Sequence, residues 1–210
     1  MSQVTLYHYW RSSCSWRVRW ALELKNISYK SVAVNLLKQE QKTSSYLSKN
    51  PTAQVPCIEY QGEYLGESIA IIEWLDEKFP GHKLFPSDPW SKAKVRQLVG
   101  VLASGTQPIQ NLKILKQVDA IGGNRTDWGK KYISEGLEVY ESLIQNTAGS
   151  FSFGGSITAA DLCLIPQVYN AKRFGVDMSQ FPICERIYQS SLKLSSCDKA
   201  APHNQPGAQP

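Results

Sequence analysis

Apolar and polar residues follow two different rhythms along the chain. In the first eighty or so residues, short β-branched and aromatic runs alternate with stretches at helical spacing. Val4-Thr5-Leu6-Tyr7-His8-Tyr9 has the composition of a strand. Cys14, Val18, Ala21 and Leu22 then recur on a helical repeat, with Ser12 or Ser13 placed to cap it. Residues 29–34 read as a second strand, and 39–49 as a weaker helix stopped by Asn50-Pro51. Residues 57–60 and 63–65 flank Gln61-Gly62, which predicts a hairpin. Ser68 is expected to cap a helix through Ile69, Ile72, Leu75 and Phe79 that stops at Pro80-Gly81.

The order βαβαββα predicts an α/β thioredoxin-like domain over residues 1–84. A Pro-rich stretch, 80–89, reads as a linker. Beyond it the period-2 signal disappears, so residues 85–210 are expected to form an all-α domain. Residues 92–117 read as one long helix, and Ile133, Leu137, Tyr140 and Ile144 mark another. Thr158-Ala159-Ala160-Asp161 is a capping-box variant in front of Leu162, Leu164 and Ile165. Residues 200–210, rich in Pro, Gln, Ala and Asn, are expected to be a loose tail.

Composition narrows the function classes. The 210 residues are 42% hydrophobic and 20% charged, which suits one large or two small domains with ample apolar material for a core. The net charge of +5 comes from scattered cations, which suits a small anionic substrate and argues against nucleic acid. Five cysteines, Cys14, Cys57, Cys163, Cys184 and Cys197, have no repeated spacing, so neither a disulfide framework nor a metal site is expected. A reducing, cytoplasmic compartment follows from that usage and from an N-terminus without a signal-like run. No apolar stretch is long enough to suggest a membrane span.

Three features of the first domain have chemistry in common. Arg11-Ser12-Ser13-Cys14-Ser15-Trp16-Arg17 spans the first strand–helix junction, where backbone N–H groups and a hydroxyl or thiol favour an anion. A thiolate is a suitable guest, since such sites bring a thiol pKa from about 8.5 to near or below neutrality. Val55-Pro56 precedes a strand; a cis bond there would turn the Val55 backbone outward to pair with an extended ligand. Glu67-Ser68 opens a helix whose hydroxyl and N–H groups suit a carboxylate, while Glu67 attracts an ammonium. Taken singly, the serines are ordinary caps. Taken together, the three features describe a receptor for a thiol-bearing peptide with an amino-acid end, which is glutathione.

The segments Ser12-Ser13-Cys14-Ser15-Trp16-Arg17-Val18-Arg19, Gln54-Val55-Pro56 and Glu67-Ser68-Ile69-Ala70-Ile71 resemble those of zeta-class glutathione transferases, a family that includes maleylacetoacetate isomerases. In the second half, residues 107–112, 159–168 and Asn170-Ala171-Lys172-Arg173-Phe174 resemble the family too. The resemblance runs from about residue 6 to residue 186. It implies the glutathione transferase architecture, a homodimer, and glutathione as cofactor. It implies glutathione contacts from Ser12, Ser13, Cys14, Ser15, Trp16 and Arg17, with the first three serving catalysis. Gln41, Val55, Glu67, Ser68, Gln107, Asn111, Leu112 and Lys113 fall at further glutathione positions. Two residues depart from the family pattern: Glu67 stands where many members carry Gln, and Lys113 where a Ser is usual. Arg173 is expected to bind the acidic substrate, with Arg11 and Arg17 as further candidate cations. The implied reaction converts maleylacetoacetate to fumarylacetoacetate in phenylalanine and tyrosine catabolism, with transferase activity toward α-halo acids. The rivals are a general conjugating transferase on the same site and a noncatalytic interaction module. A glutaredoxin-like oxidoreductase is disfavoured, because Arg17 occupies the place of a resolving cysteine after Cys14.

Overall fold

The computed structural model describes residues 3–208, which divide into two compact units: 3–84 with 193–208, and Phe85–Leu192. Unit one carries a four-stranded sheet of order β2-β1-β3-β4, formed by β1 (Val4–His8), β2 (Tyr29–Ala33), β3 (Cys57–Tyr60) and β4 (Glu63–Gly66). β1 pairs parallel with β2 and antiparallel with β3, and β3 pairs antiparallel with β4. Burial along β1 alternates, with Val4, Leu6 and His8 inward. This is the period-2 signature of a strand with one face in a core. At the β3–β4 turn Gln61 and Gly62 have φ of 55° and 85°, the paired positive values that a tight hairpin requires.

Helix α1 (Ser13–Leu24) follows β1 and packs against α3 (Ser68–Lys78) and α9 (Ser195–Ala200). Between β2 and β3 the chain makes a 3-10 turn, Glu40–Lys42, and a single-turn helix α2 (Ser44–Leu47), in place of the helix expected over 39–49. Tyr9, Val34, Tyr46, Val55 and Cys57 form a small buried cluster beneath this stretch. Two buried groups knit unit one together. Lys25 Nζ bonds Asp76 Oδ1 at 3.2 Å and the His82 carbonyl at 2.9 Å, and the same Asp76 oxygen accepts from Leu84 N at 2.9 Å.

The end of the chain corrects the expectation of a loose tail. Ala200, Ala201 and Pro202 are buried, and Gln205 Nε2 donates to the carbonyls of Lys199 and Ala201 at 2.7 and 3.0 Å. The composition misled here because a few small side chains are buried and the backbone carbonyls find donors, neither of which a polar tail composition reveals. The residues from 193 onward accordingly belong to unit one and not to the helical unit.

Unit two is built from α4 (Pro89–Gly100), α5 (Leu112–Ala120), α6 (Arg125–Ile144), α7 (Ala159–Arg173) and α8 (Pro182–Leu192). The single helix expected over 92–117 is divided. α4 passes into a π-helical turn, Val101–Thr106, where Thr106 Oγ1 donates to the Val101 carbonyl at 2.8 Å. Pro108 has no N–H to continue a ladder. The chain restarts at α5, capped by Asn111, whose side chain accepts from Lys113 N at 3.3 Å. Ile133, Leu137, Tyr140 and Ile144 are fully buried on α6. The α7 capping box forms, with Thr158 N donating to Asp161 Oδ2 at 2.8 Å. Asp161 also accepts from Ser152 N, so a wholly buried carboxyl is held by three donors even as burial pushes its pKa up. Glu141 accepts from Ile183 N and Cys184 N, tying α6 to the N-terminus of α8. Among the described residues no helix is long and apolar enough to cross a membrane.

Candidate active site

The start of α1 is the centre of the arrangement. Ser12 stands at the N-cap with extended backbone (φ −71°, ψ 122°), and its Oγ accepts from Ser15 N at 3.2 Å. Because Oγ is the acceptor in this bond, the hydroxyl proton is left over for donation to another group. Helix N-termini carry N–H groups with no carbonyl partner inside the helix and a partial positive charge, so an anion beside Ser12 sits in a favourable field. Ser15 is fully buried, and its hydroxyl receives the Tyr9 amide at 3.4 Å, fixing the loop from within. Ser13 is buried beneath it, and Cys14 is half-buried.

Arg17 points inward from the next turn. It is 1% exposed, and its Nη1 lies 3.7 Å from Cys14 Sγ and 3.3 Å from Ser68 Oγ. One guanidinium therefore links the thiol-bearing end of the site to the opening of α3. The sequence offered it as a glutathione contact and as one candidate cation for an acidic substrate; in the structure its side chain lies inside unit one. Trp16 is likewise almost wholly buried.

At α3, Ser68 is the first helical residue and not the cap; Glu67 takes the cap position with φ 63°, ψ 110°. A positive φ at a glutamate is strained, and such strain gathers where a ligand is clamped. Glu67 is exposed and Ser68 buried, so a carboxylate and a hydroxyl lie side by side at a helix start. The Val55–Pro56 bond is cis, and Val55 stands just outside the ladder that begins at Cys57. Gln41 lies in the 3-10 turn, and its Oε1 is buried with no partner among the described residues, an acceptor left for a ligand donor.

Unit two holds the other candidates. Gln107 follows the π-helical turn, and Asn111, Leu112 and Lys113 form the start of α5. Arg173, exposed at the last turn of α7, donates to Asn170 Oδ1 at 3.1 Å and lies 5.9 Å from the Tyr169 ring centroid. Arg11, in unit one, lies over the Trp10 ring at 5.3 Å.

Three of the remaining thiols are poor nucleophiles. Burial pushes Cys57 up to about 11 and Cys197 to about 12, and raises Cys184 further. No cysteine among the described residues is in a disulfide.

Residues 2–77 match the family model for the glutathione S-transferase N-terminal domain. The chain is 41% identical over 214 residues to a maleylacetoacetate isomerase of Dictyostelium discoideum, covering 100% of this chain and 98% of that one. Such identity over both full lengths decides the matter. The chain belongs to the zeta-class glutathione transferases of the maleylacetoacetate isomerase family. A bacterial maleylpyruvate isomerase described as a zeta-class glutathione S-transferase superposes with a TM-score of 0.94 at 35% identity, covering 98% of this chain and 100% of that one. The maleylacetoacetate isomerase of Anaeromyxobacter dehalogenans, with glutathione bound in its active site, gives 0.90 at 40% identity, covering 99% of each.

Two features of this zeta-class chain escaped sequence reading. The first is Arg19, fully buried among backbone carbonyls. The second is His8, buried on β1 with Nδ1 against Arg19 Nη1 at 3.2 Å and Nε2 against Ser31 Oγ at 2.7 Å. The arginine must donate, so Nδ1 accepts and Nε2 carries the proton. Burial, then the Arg19 charge, lowers His8 to about 3; burial lowers Arg19 to about 9. A charged residue inside a helical repeat reads as surface, and nothing in the pattern of Arg17-Val18-Arg19 signals otherwise.

Proposed function

We propose that this chain is a glutathione-dependent cis–trans isomerase that converts maleylacetoacetate to fumarylacetoacetate. The observation that carries the reading is the Ser12 cap, whose oxygen accepts from Ser15 N at a helix start, in a chain so closely related to isomerases over its whole length. Glutathione fits the residues present: Ser12 and the start of α1 suit its sulfur, and the partnerless Gln41 Oε1 suits one of its N–H groups.

When bound, glutathione supplies the sulfur nucleophile that adds to the cis double bond and departs after rotation, so it is recovered unchanged. The task of the chain is to hold that sulfur as an anion. Ser12 would donate a hydrogen bond to the anion, Ser13 and Cys14 would flank it, and the dipole of α1 would add favourable potential. Arg17 keeps Cys14 and Ser68 in fixed relation. The backbone of Val55 pairs with the cysteinyl portion, and Glu67 with Ser68 holds the γ-glutamyl ammonium and carboxylate. Gln107, Asn111, Leu112 and Lys113 contribute the remaining contacts. Arg173 takes a substrate carboxylate in a fork, and Arg11 adds positive potential. The same site accommodates conjugation of α-halo acids. The protein acts as a homodimer in the cytoplasm, in the catabolism of phenylalanine and tyrosine.

Parallel steady-state assays test the assignment. With glutathione present, maleylacetoacetate or its analogue maleylacetone is expected to turn over far faster than chloro-dinitrobenzene. Rapid conjugation with negligible isomerisation would instead make the protein a general conjugating transferase.

A further inference from the structure

The side chain of Arg19 is wholly inside the protein, and among the described residues none of its partners is a carboxylate. Nε donates to the Ala200 carbonyl at 2.8 Å, Nη2 to Trp10 O at 3.1 Å, and Nη1 to Tyr9 O at 3.4 Å and His8 Nδ1 at 3.2 Å. A buried charge is costly unless polar atoms surround it, and here three backbone carbonyls and an imidazole do so. Those carbonyls are not scattered. Tyr9 and Trp10 form the loop that leads through Arg11 into Ser12, and Ala200 ends α9. The Tyr9 carbonyl has a second donor, the amide of Ser12 at 3.1 Å. Arg19 and Ser12 therefore share one oxygen atom. The Tyr9 amide in turn rests on Ser15 Oγ, so the loop is fastened on both sides of the cap.

We propose that Arg19 is a positioning residue for the anion site: through the carbonyls of Tyr9 and Trp10 it fixes where the Ser12 hydroxyl stands, and through Ala200 it makes the C-terminal segment part of that support. The proposal rests on the reading of Ser12 as the group that holds the glutathione sulfur. A purely structural arginine would fasten α9 to α1 without affecting the loop. That fastening has an independent member, the bond from Trp20 Nε1 to Ser196 Oγ at 3.2 Å, which supplies a control. Lysine cannot replace the guanidinium fully, because its donors radiate from one point and do not reach three carbonyls in a plane.

The test compares Arg19→Gln, Arg19→Lys and Ser196→Ala in the full chain. Amide hydrogen exchange on the ligand-free protein is read at Ser12 and Ser15, whose N–H groups bond Tyr9 O and Ser12 Oγ. Arg19→Gln is expected to speed exchange at both positions by tenfold or more. Ser196→Ala should loosen α9 and leave the two amides as they are. With glutathione bound, ultraviolet titration should show its thiol ionising at higher pH in Arg19→Gln, with a smaller displacement in Arg19→Lys. Unchanged exchange at Ser12 and Ser15 in a folded Arg19 variant would overturn the proposal, as would equal changes in Ser196→Ala. Arg19→Lys keeps the charge and the aliphatic stem, so it carries the test if Arg19→Gln does not fold. Failure of the wild-type chain to lower the glutathione thiol pKa would refute the function of Ser12, while the exchange data would still judge Arg19.

Discussion

Replacing Ser12 removes two interactions at once, and different substitutions separate them. As an N-cap its oxygen accepts from Ser15 N at 3.2 Å. Losing such a cap costs about 1 kcal/mol of stability, with a range of roughly 0.5–2 kcal/mol. As a donor to the glutathione sulfur its hydroxyl makes a charge-assisted hydrogen bond worth about 1.5–3 kcal/mol. At about 1.4 kcal/mol per unit, that raises the thiol pKa by roughly one to two units in Ser12→Ala. From a thiol pKa of about 7, the thiolate population at neutral pH, and kcat with it, should then fall roughly fivefold to fiftyfold. Ser12→Asp restores the cap acceptor but places a negative charge beside the sulfur. It should recover the denaturation midpoint of the wild type while depressing thiolate formation below that of Ser12→Ala. Ser12→Thr, which keeps both hydroxyl functions, should approach wild type in both respects. The assays are urea unfolding and ultraviolet titration of bound glutathione. Wild-type thiol acidity in Ser12→Asp would refute the placement of the sulfur at this helix start.

Asp76→Ala should destabilise the protein by about 3–5 kcal/mol in urea, because it strands Lys25, whose side chain is 0% exposed, and orphans the Leu84 amide. His8 supplies a pH signature. Its folded value is lowered from 6.5 to about 3, so the unfolded chain binds a proton that the folded chain declines. Its contribution is complete above pH 6.5 and is lost at about 1.4 kcal/mol per pH unit as pH falls toward 3. His8→Gln should therefore flatten the pH dependence of unfolding between pH 6 and pH 4 by about that slope, and an unchanged slope would contradict the buried neutral imidazole. Arg173→Ala should raise KM for maleylacetone about tenfold, the low end for a charged hydrogen bond because the guanidinium is exposed, while the Kd for glutathione measured by calorimetry stays the same. Equal loss toward an uncharged electrophile would assign Arg173 to structure.

The first unit was legible where local chemistry decides local structure. The alternation in β1, the Gln61-Gly62 turn and the repeat of Cys14, Val18, Ala21 and Leu22 each allow one backbone answer. The same rules narrowed the cap to Ser12 or Ser13, and the structure places it at Ser12. Ser68 lay one residue inside its helix because Glu67 adopts a positive φ that no helix-start rule anticipates for glutamate. The division of α4 from α5 escaped because a π-helical turn keeps a helical pattern of apolar residues while shifting their phase. The buried arginines escaped for a geometric reason. Arg17 and Arg19 are two positions apart, about 200° around a helix. They enter different parts of the interior, one toward Ser68 and the other toward Tyr9, Trp10 and Ala200. Sequence shows the charge but not the carbonyls that receive it. Two of those carbonyls, of Tyr9 and Trp10, lie in the loop before α1, and the third, of Ala200, lies in a C-terminal segment whose composition resembles a solvated tail.

The central claim is that glutathione acts here as a cofactor and is not consumed. It is tested most directly by supplying glutathione at a small fraction of the maleylacetoacetate concentration. Both the trans product and the free thiol are then followed to completion. The account predicts full conversion to fumarylacetoacetate with the thiol recovered unchanged. Conversion that halts after one equivalent of glutathione, or that proceeds equally well without any, would contradict it.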